Sequence, residues 1–379
     1  MLSAILSTAI LGQTIATPRL LETLPNGSRI WAESMPAAKD CTVILWLSSP
    51  DIRETPATHG QRHLLEHLIA KGPDSKLDVA LENRGLMLFA ETSRDAIQFR
   101  IDCPPDQLNF VIESILAVTK PRAFTAEEIQ REAVTITDEY SGLSIHRRLV
   151  RAVWNQEMGA KSLDPFGDPA TMKAITPESL TQLHQRLSSP KSVLFTITGP
   201  QRVTDLMAKA RELLSAKKDQ KVPVENPNDP SGNPDPDMMV GVPGSGIGLI
   251  SEGVHSSLTL ANLAIGLSLS QSRPGFEVSF TPSVKRGLIV VTSSSQNVGE
   301  AIQSLSDRDL LLGKNLLLTY LRQTSMSPGR LAAFRGALLA QGESVAPRDI
   351  EIKANTLTLT DLVNAKSEAK YAEVVVGLQ

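Results

Sequence analysis

The chain has 379 residues, 41% of them hydrophobic and 21% charged, with a formal net charge of −3. That length and apolar content suffice for two or three packed domains and exclude disorder as the default state. Mixed charge signs and 4% aromatic residues leave no basic stripe and no stacking platform, which argues against nucleic acid or an anionic membrane as partner.

Residues 1–18 hold an apolar, uncharged run at 2–11 and a small-residue segment at Thr14-Ile15-Ala16, and the first charge is Arg19. This pattern fits a secretory signal peptide that lacks the positively charged start. The alternative is a strand or helix packing on the domain. Export, periplasmic or secreted, is slightly favoured over a cytoplasmic location. The apolar run is too short to span a bilayer, and no other stretch approaches eighteen apolar residues, so no transmembrane anchor is expected.

From 20 to 33, Pro25-Asn26-Gly27 between two apolar runs signals a hairpin. Residues 42–48 are apolar and β-branched and read as a buried strand. A polar loop at 51–59 leads to the run Gly60-Gln61-Arg62-His63-Leu64-Leu65-Glu66-His67. On a helix, His63 and His67 stand one above the other and can offer two imidazole nitrogens to one metal ion. Glu66 reaches the same face, where its carboxylate can take a proton from a metal-bound water. The spacing H-x-x-E-H is the inverted form of a known zinc-protease motif. Only six histidines occur in the chain, so two at ligand spacing around a glutamate carry weight.

A second helix is expected at 76–82, closing at Asn83-Arg84-Gly85. Residues 87–92 and 96–102 alternate as two strands around Ser93-Arg94-Asp95, and Pro104-Pro105 ends the second. An amphipathic helix follows at 107–119. Thr125 and Glu128 form a capping box for a mostly helical stretch at 126–154. That stretch places Glu132 and Glu139 seven apart on one face. Glu139 is the expected third metal ligand, and Glu132 is a supporting carboxylate that orients a histidine or holds positive charge nearby. A helix from Thr176 to about 187, a strand at 192–198 and a helix at 203–216 complete this part.

At these residues the chain resembles the pitrilysin/insulinase family of zinc metallopeptidases, which includes mitochondrial processing peptidases and many bacterial homologues. The likeness runs from about 20 to 216. It includes Thr23-Leu24-Pro25-Asn26-Gly27, the H-x-x-E-H run with its trailing Lys71-Gly72, and the edge-strand-like segment 85–95. Arg131-Glu132 with Glu139, Asp164-Pro165-Phe166-Gly167, Ile175-Thr176-Pro177-Glu178 and the strand 193–199 follow in family order. The resemblance implies Zn2+ held by His63, His67 and Glu139, Glu66 as general base and Glu132 in support. It also implies a peptide lying along Phe89, Ala90, Glu91 and Thr92. The expected fold is α+β: two related halves, each a mostly antiparallel sheet with helices packed on one face, arranged as a clamshell. The expected segments are a leader at 1–18, a zinc-bearing domain at 19–216, a linker at 217–238 and a shortened homologous domain at 239–379. Weak self-similarity supports the duplication, since 357–362 followed by 374–377 echoes 175–180 followed by 195–199.

Two departures from the family pattern stand out. Phe89 occupies the place where the edge strand usually carries Asn. The second half has Ser272-Arg273-Pro274 and no tyrosine at 261–291, where the family carries an Arg and a Tyr that contact substrate. Arg273 reads as a loop arginine. The expected function is a zinc endopeptidase acting on short or unfolded peptides, with a homologous partner subunit or a second copy as partner. The alternative is a non-catalytic or weakly active subunit of a paired complex, serving as scaffold or peptide binder. His59, His146, His184 and His255 are not expected to bind metal. Cys41 and Cys103 sit at opposite ends of two predicted strands. They would meet if those strands are antiparallel neighbours, but they read first as free buried thiols.

Overall fold

The structure is a computed structural model that describes residues 19–48, 54–71, 76–93, 96–158, 163–167, 169–218, 244–253, 256–283, 286–343, 345–368 and 373–376. The leader at 1–18 and nearly all of the linker at 217–238 lie outside the described residues. So do Arg94-Asp95 and His255.

The first half opens with the expected hairpin of β1 (Arg19–Thr23) and β2 (Arg29–Ser34). Gly27 turns it at φ 91°, a left-handed conformation that favours glycine. Asn26 Nδ2 donates to the Leu214 and Lys217 carbonyls, pinning the hairpin to a later helix end. Next come β3 (Cys41–Ser48), α1 (Gln61–Lys71), α2 (Lys76–Glu82), β4 (Phe89–Thr92) and β5 (Ala96–Cys103). They are followed by α3 (Leu108–Leu116), α4 (Ala126–Ser141), α5 (Ile145–Met158), α6 (Pro169–Met172), α7 (Pro177–Leu187), β6 (Val193–Gly199) and α8 (Val203–Ser215). Sheet order is β1-β2-β6-β3-β5-β4, antiparallel throughout except for the β2–β6 pair.

The second half runs β7 (Gly244–Glu252), α9 (Ser257–Ser272), β8 (Phe276–Ser283), β9 (Arg286–Ser293), α10 (Val298–Gln303), α11 (Asp307–Met326), α12 (Pro328–Ala340), α13 (Pro347–Thr356), α14 (Leu359–Glu368) and β10 (Glu373–Val376). Its sheet order, β10-β7-β9-β8, repeats β6-β3-β5-β4 strand for strand, all antiparallel. The echo between the ends of the two halves is therefore structural: α14 leads to β10 as α7 leads to β6. The second sheet lacks a counterpart of the β1–β2 hairpin among the described residues.

Each sheet carries its own helices on one face, as expected, and its other face is covered by a helix from the opposite half. Along β3, Val43, Leu45 and Leu47 join the helix-side core, while Ile44 and Trp46 face the other way. There Trp31, Ile44, Trp46 and Leu194 pack against Leu331, Ala332 and Leu339 of α12. Reciprocally, Leu149, Ala152, Val153 and Trp154 of α5 pack on Leu288 and Val290 of β9. The physical reason lies in the strands. Unbroken apolar runs such as Thr42-Val43-Ile44-Leu45-Trp46-Leu47 need two dry faces. Small residues bring the crossing helices close: a side chain at Gly336 would come within 2.1 Å of the Trp46 indole, and one at Gly246 within 2.7 Å of Val153. Arg29 donates to the Leu339 carbonyl and Thr198 to that of Pro328, which fasten α12 in place. The stretch read as mostly helical at 126–154 breaks at Gly142, and the break lets α5 leave the first half for the second sheet. No helix of the described residues is long and apolar enough to cross a membrane.

Candidate metal centre

The candidate site is built on α1, which lies buried on nearly every side. Its entry is set by two glycines in contact. Gly60 (φ 92°) and Gly167 (φ 88°) both adopt left-handed backbone, and a Cβ on Gly167 would sit 2.3 Å from the Gly60 Cα. This close approach brings the Asp164–Gly167 turn against the first turn of α1. Glu54 accepts from the Arg62 backbone N–H at 2.7 Å, satisfying one of the helix's free amides. Arg122 donates to the Leu68 carbonyl towards the other end of the helix.

His63 Nδ1 faces the Phe166 carbonyl oxygen at 3.1 Å, and His67 Nδ1 faces Glu132 Oε2 at 3.3 Å. Both partners only accept, so the ring protons belong on Nδ1 and the Nε2 lone pairs point the other way. There they meet Glu139 Oε2, at 3.8 Å from His63 Nε2 and 3.7 Å from His67 Nε2. Ligand atoms of these three residues all lie within 4.8 Å of one another, the one such group among the described residues. Burial pushes the His63 imidazolium down to a pKa of about 4, so this ring is neutral at pH 7. Two lone pairs and a carboxylate aimed at one point make an acceptor-only cluster, and a cation is what such a cluster fits. Two imidazoles, one carboxylate and an open fourth position match a metal centre that keeps room for water or substrate.

Helix α4 supplies both carboxylates. Thr125 accepts from the Glu128 N–H and Glu128 returns a bond to the Thr125 N–H, the expected capping box. Ile129, Ala133 and Ile136 bury its inner face, which sets Glu132 and Glu139 two turns apart beside α1. Glu132 is buried, bridging His67 and Lys71 Nζ, the latter at 2.5 Å. Glu139 is half-exposed at the mouth.

Glu66 lies in the same face of α1, next to the cluster, and is almost fully buried. Burial raises its pKa to about 7, with Glu139 and Glu91 adding to the rise and the Thr92 hydroxyl opposing it. Thr92 Oγ1 donates to Glu66 Oε2 at 3.0 Å and orients the carboxylate. Thr92 belongs to β4, the last strand of its sheet, paired only with β5. The outer edge of β4 therefore carries unpaired backbone groups. Phe89 and Glu91 are exposed, and Ala90 packs towards the core. Beyond the edge lies a cavity of about 1310 Å3 between the two halves. His63, Glu66, His67 and Glu139 open into it from the first half, and Val278, Phe280 and Gln341 close it from the second.

Several residues of this neighbourhood had no role in the sequence reading. Phe166 supplies the carbonyl behind His63 and lies edge-on to its ring at 4.9 Å. Asp164 fixes the turn by accepting from the Phe166 N–H at 2.8 Å, and Arg151 braces it from Asp164 and the Gly167 carbonyl. The D-P-F-G run was visible as a motif, but no pattern assigns a task to a backbone carbonyl. His59 bonds the Asp164 carbonyl and His184 that of Val118. His146 bonds Thr292 and lies 3.6 Å from Glu277, joining α5 to the second sheet. Arg273 caps α9 and donates to Ser304, outside the cavity lining.

Residues 29–165 match the family model described as insulinase (peptidase family M16). A probable mitochondrial-processing peptidase subunit beta of Arabidopsis thaliana is 32% identical over 121 residues, 31% of this chain and 23% of that protein. An uncharacterized zinc protease of Bacillus subtilis is 22% identical over 188 residues, 47% of this chain and 45% of its own length. The aligned part of the chain thus spans less than half of either relative. A putative M16-like peptidase from Alicyclobacillus acidocaldarius shares the fold with a TM-score of 0.76 at 17% identity, covering 95% of this chain and 98% of that one. Residues 29–165 of the chain thus form a domain of the insulinase family (peptidase family M16), set in a two-half fold that the chain shares with an M16-like peptidase.

Proposed function

We propose that the chain is a zinc-dependent endopeptidase for short or unfolded peptides. The observation that carries this reading is the acceptor-only cluster of His63, His67 and Glu139 with a buried carboxylate, Glu66, beside it. A structural metal site has no use for an adjacent base with raised proton affinity. Zinc in this position supplies Lewis acidity, acidifying water and polarising a carbonyl. Glu66 takes the proton of the attacking water and delivers it to the departing amine, while the Thr92 hydroxyl holds its carboxylate in place. Glu132 keeps His67 in the tautomer that presents Nε2, and the Phe166 carbonyl does the same for His63. The peptide joins the open edge of β4 as an added strand along Phe89, Ala90, Glu91 and Thr92. Backbone pairing of that kind demands an extended chain, which is why folded proteins are poor substrates.

The test is Glu66→Gln. The variant is expected to bind about one zinc per chain and to lose cleavage of a quenched, unstructured peptide by at least about 100-fold. Wild-type turnover in this variant would remove Glu66 from the mechanism. A paired-subunit version is favoured by one feature: the second half lines the cavity with Val278, Ser279, Phe280, three alanines and Gln341, none of them charged. The Arabidopsis relative is named as a subunit. Zinc uptake without cleavage by the chain alone, with cleavage restored by a homologous second chain, would establish that version.

A further inference from the structure

Cys41 opens β3 and Cys103 closes β5, and the ladder register sets them directly opposite each other. Residues opposite one another in an antiparallel pair have Cα atoms roughly 4.5–5.5 Å apart. That span lies within the ~4.4–6.8 Å that a disulfide requires. Both side chains are buried at the same end of the sheet, and both thiols are free. Gly199 makes room for the Cys41 sulfur, since a Cβ there would come within 2.6 Å of it. The Cys41 thiol donates to Gln201 Oε1 at 3.1 Å, and Gln201 is held in turn by the Pro105 carbonyl.

We propose that Cys41 and Cys103 are a cross-strand dithiol that a small peroxide converts to an intramolecular disulfide. The bond would clasp residues 41–103, the stretch that carries His63, Glu66, His67 and the β4 edge. Burial at the strand ends favours a small oxidant over a bulky disulfide. The two thiols are unequal. The hydrogen bond from Cys103 pulls the Cys41 pKa down against the opposing effect of burial, whereas Cys41, burial and the nearby Asp102 push that of Cys103 up. Cys41 is therefore the attacking sulfur and Cys103 the resolving one. The Cys41 thiolate attacks one oxygen of hydrogen peroxide, the O–O bond breaks, and hydroxide leaves a sulfenic acid on Cys41. The Cys103 sulfur then attacks that sulfenic sulfur, its proton goes to the departing oxygen, and water leaves. In sum, two thiols and one hydrogen peroxide give one disulfide and two waters. Because the sulfurs already face each other, closing the bond fastens the sheet and leaves the metal cluster where it is.

The test uses the full chain, reduced, freed of reductant and treated with hydrogen peroxide. Thiols are then counted under denaturing conditions, with intact mass and thermal unfolding measured in parallel. The expected result is loss of both thiols with a mass decrease of two hydrogens. The chain stays monomeric on a non-reducing gel, and its midpoint rises by about 5 °C or more until reductant is added. Cys103→Ser is expected to gain oxygen on Cys41 and no midpoint rise. Two surviving thiols, independent oxygen gain on both cysteines of the wild type, or a linked chain with an unchanged or lower midpoint would each overturn the proposal. The result does not depend on whether the chain cleaves peptides.

Discussion

Glu66 and His63 are pulled away from their ordinary protonation in opposite directions by the same burial. The Glu66 pKa rises from 4.5 to about 7, and that of His63 falls from 6.5 to about 4. Between pH 4.5 and 7 the folded chain holds a proton on Glu66 that the unfolded chain has released, so this residue costs stability as pH rises through that window. Between pH 6.5 and 4 the unfolded chain takes up a proton on the His63 ring that the folded chain refuses, so that residue costs stability as pH falls. Metal-free Glu66→Gln removes only the first slope. Its stability over the wild type should grow from near zero at pH 4.5 to roughly 3 kcal/mol above pH 7, measured by urea unfolding in the presence of chelator. A constant difference across that range would contradict the burial argument. The residue scale is also where the sequence was most readable. The H-x-x-E-H spacing and the seven-residue step from Glu132 to Glu139 are local periodicities, and a helix converts them directly into shared faces. The Phe166 carbonyl and the Gly60–Gly167 contact were not readable, because they join segments about a hundred residues apart and leave no side-chain signature.

At the scale of the element, α12 is the most exacting piece. Its sequence, rich in alanine, leucine and glycine, signals a helix but not which surface it covers. The surface turns out to be the far side of a sheet begun some 300 residues earlier. Trp46 packs closely against Gly336 there while its indole N–H donates to Thr196 at 2.9 Å. Gly336→Val must displace that ring or the helix. The expected cost is roughly 1–3 kcal/mol, seen as a lower thermal midpoint together with a red-shifted tryptophan emission. An unchanged midpoint would mean that α12 is less tightly seated. Strands were easier to anticipate than their neighbours. β3 and β6, at the centre of the first sheet, are short apolar runs, whereas the pairing of β2 with β6 is set by packing across the whole domain. The Cys41–Cys103 pairing lay between these cases: the positions were visible, and the register was needed to join them.

Over the whole molecule, the two sheets repeat one strand order, and each borrows a helix from the other. The repeat was faint in the sequence, because core residues drift while preserving volume and pattern. The exchange of helices predicts one cooperative unfolding transition for the full chain rather than two. Expressed alone, residues 19–216 should be insoluble or bind a hydrophobic dye strongly, and supplying residues 244–379 in trans should rescue them. A soluble, dye-silent 19–216 fragment would refute the mutual dependence. The same exchange has a consequence during synthesis. The ribosome finishes β3 long before it reaches residue 340, so Trp31, Ile44 and Trp46 remain uncovered while more than a hundred further residues are made. At typical elongation rates that is an interval of roughly ten seconds or more. The nascent chain must cross it with an apolar sheet face bare, which makes it a natural client for a chaperone that shields such faces until the second half arrives.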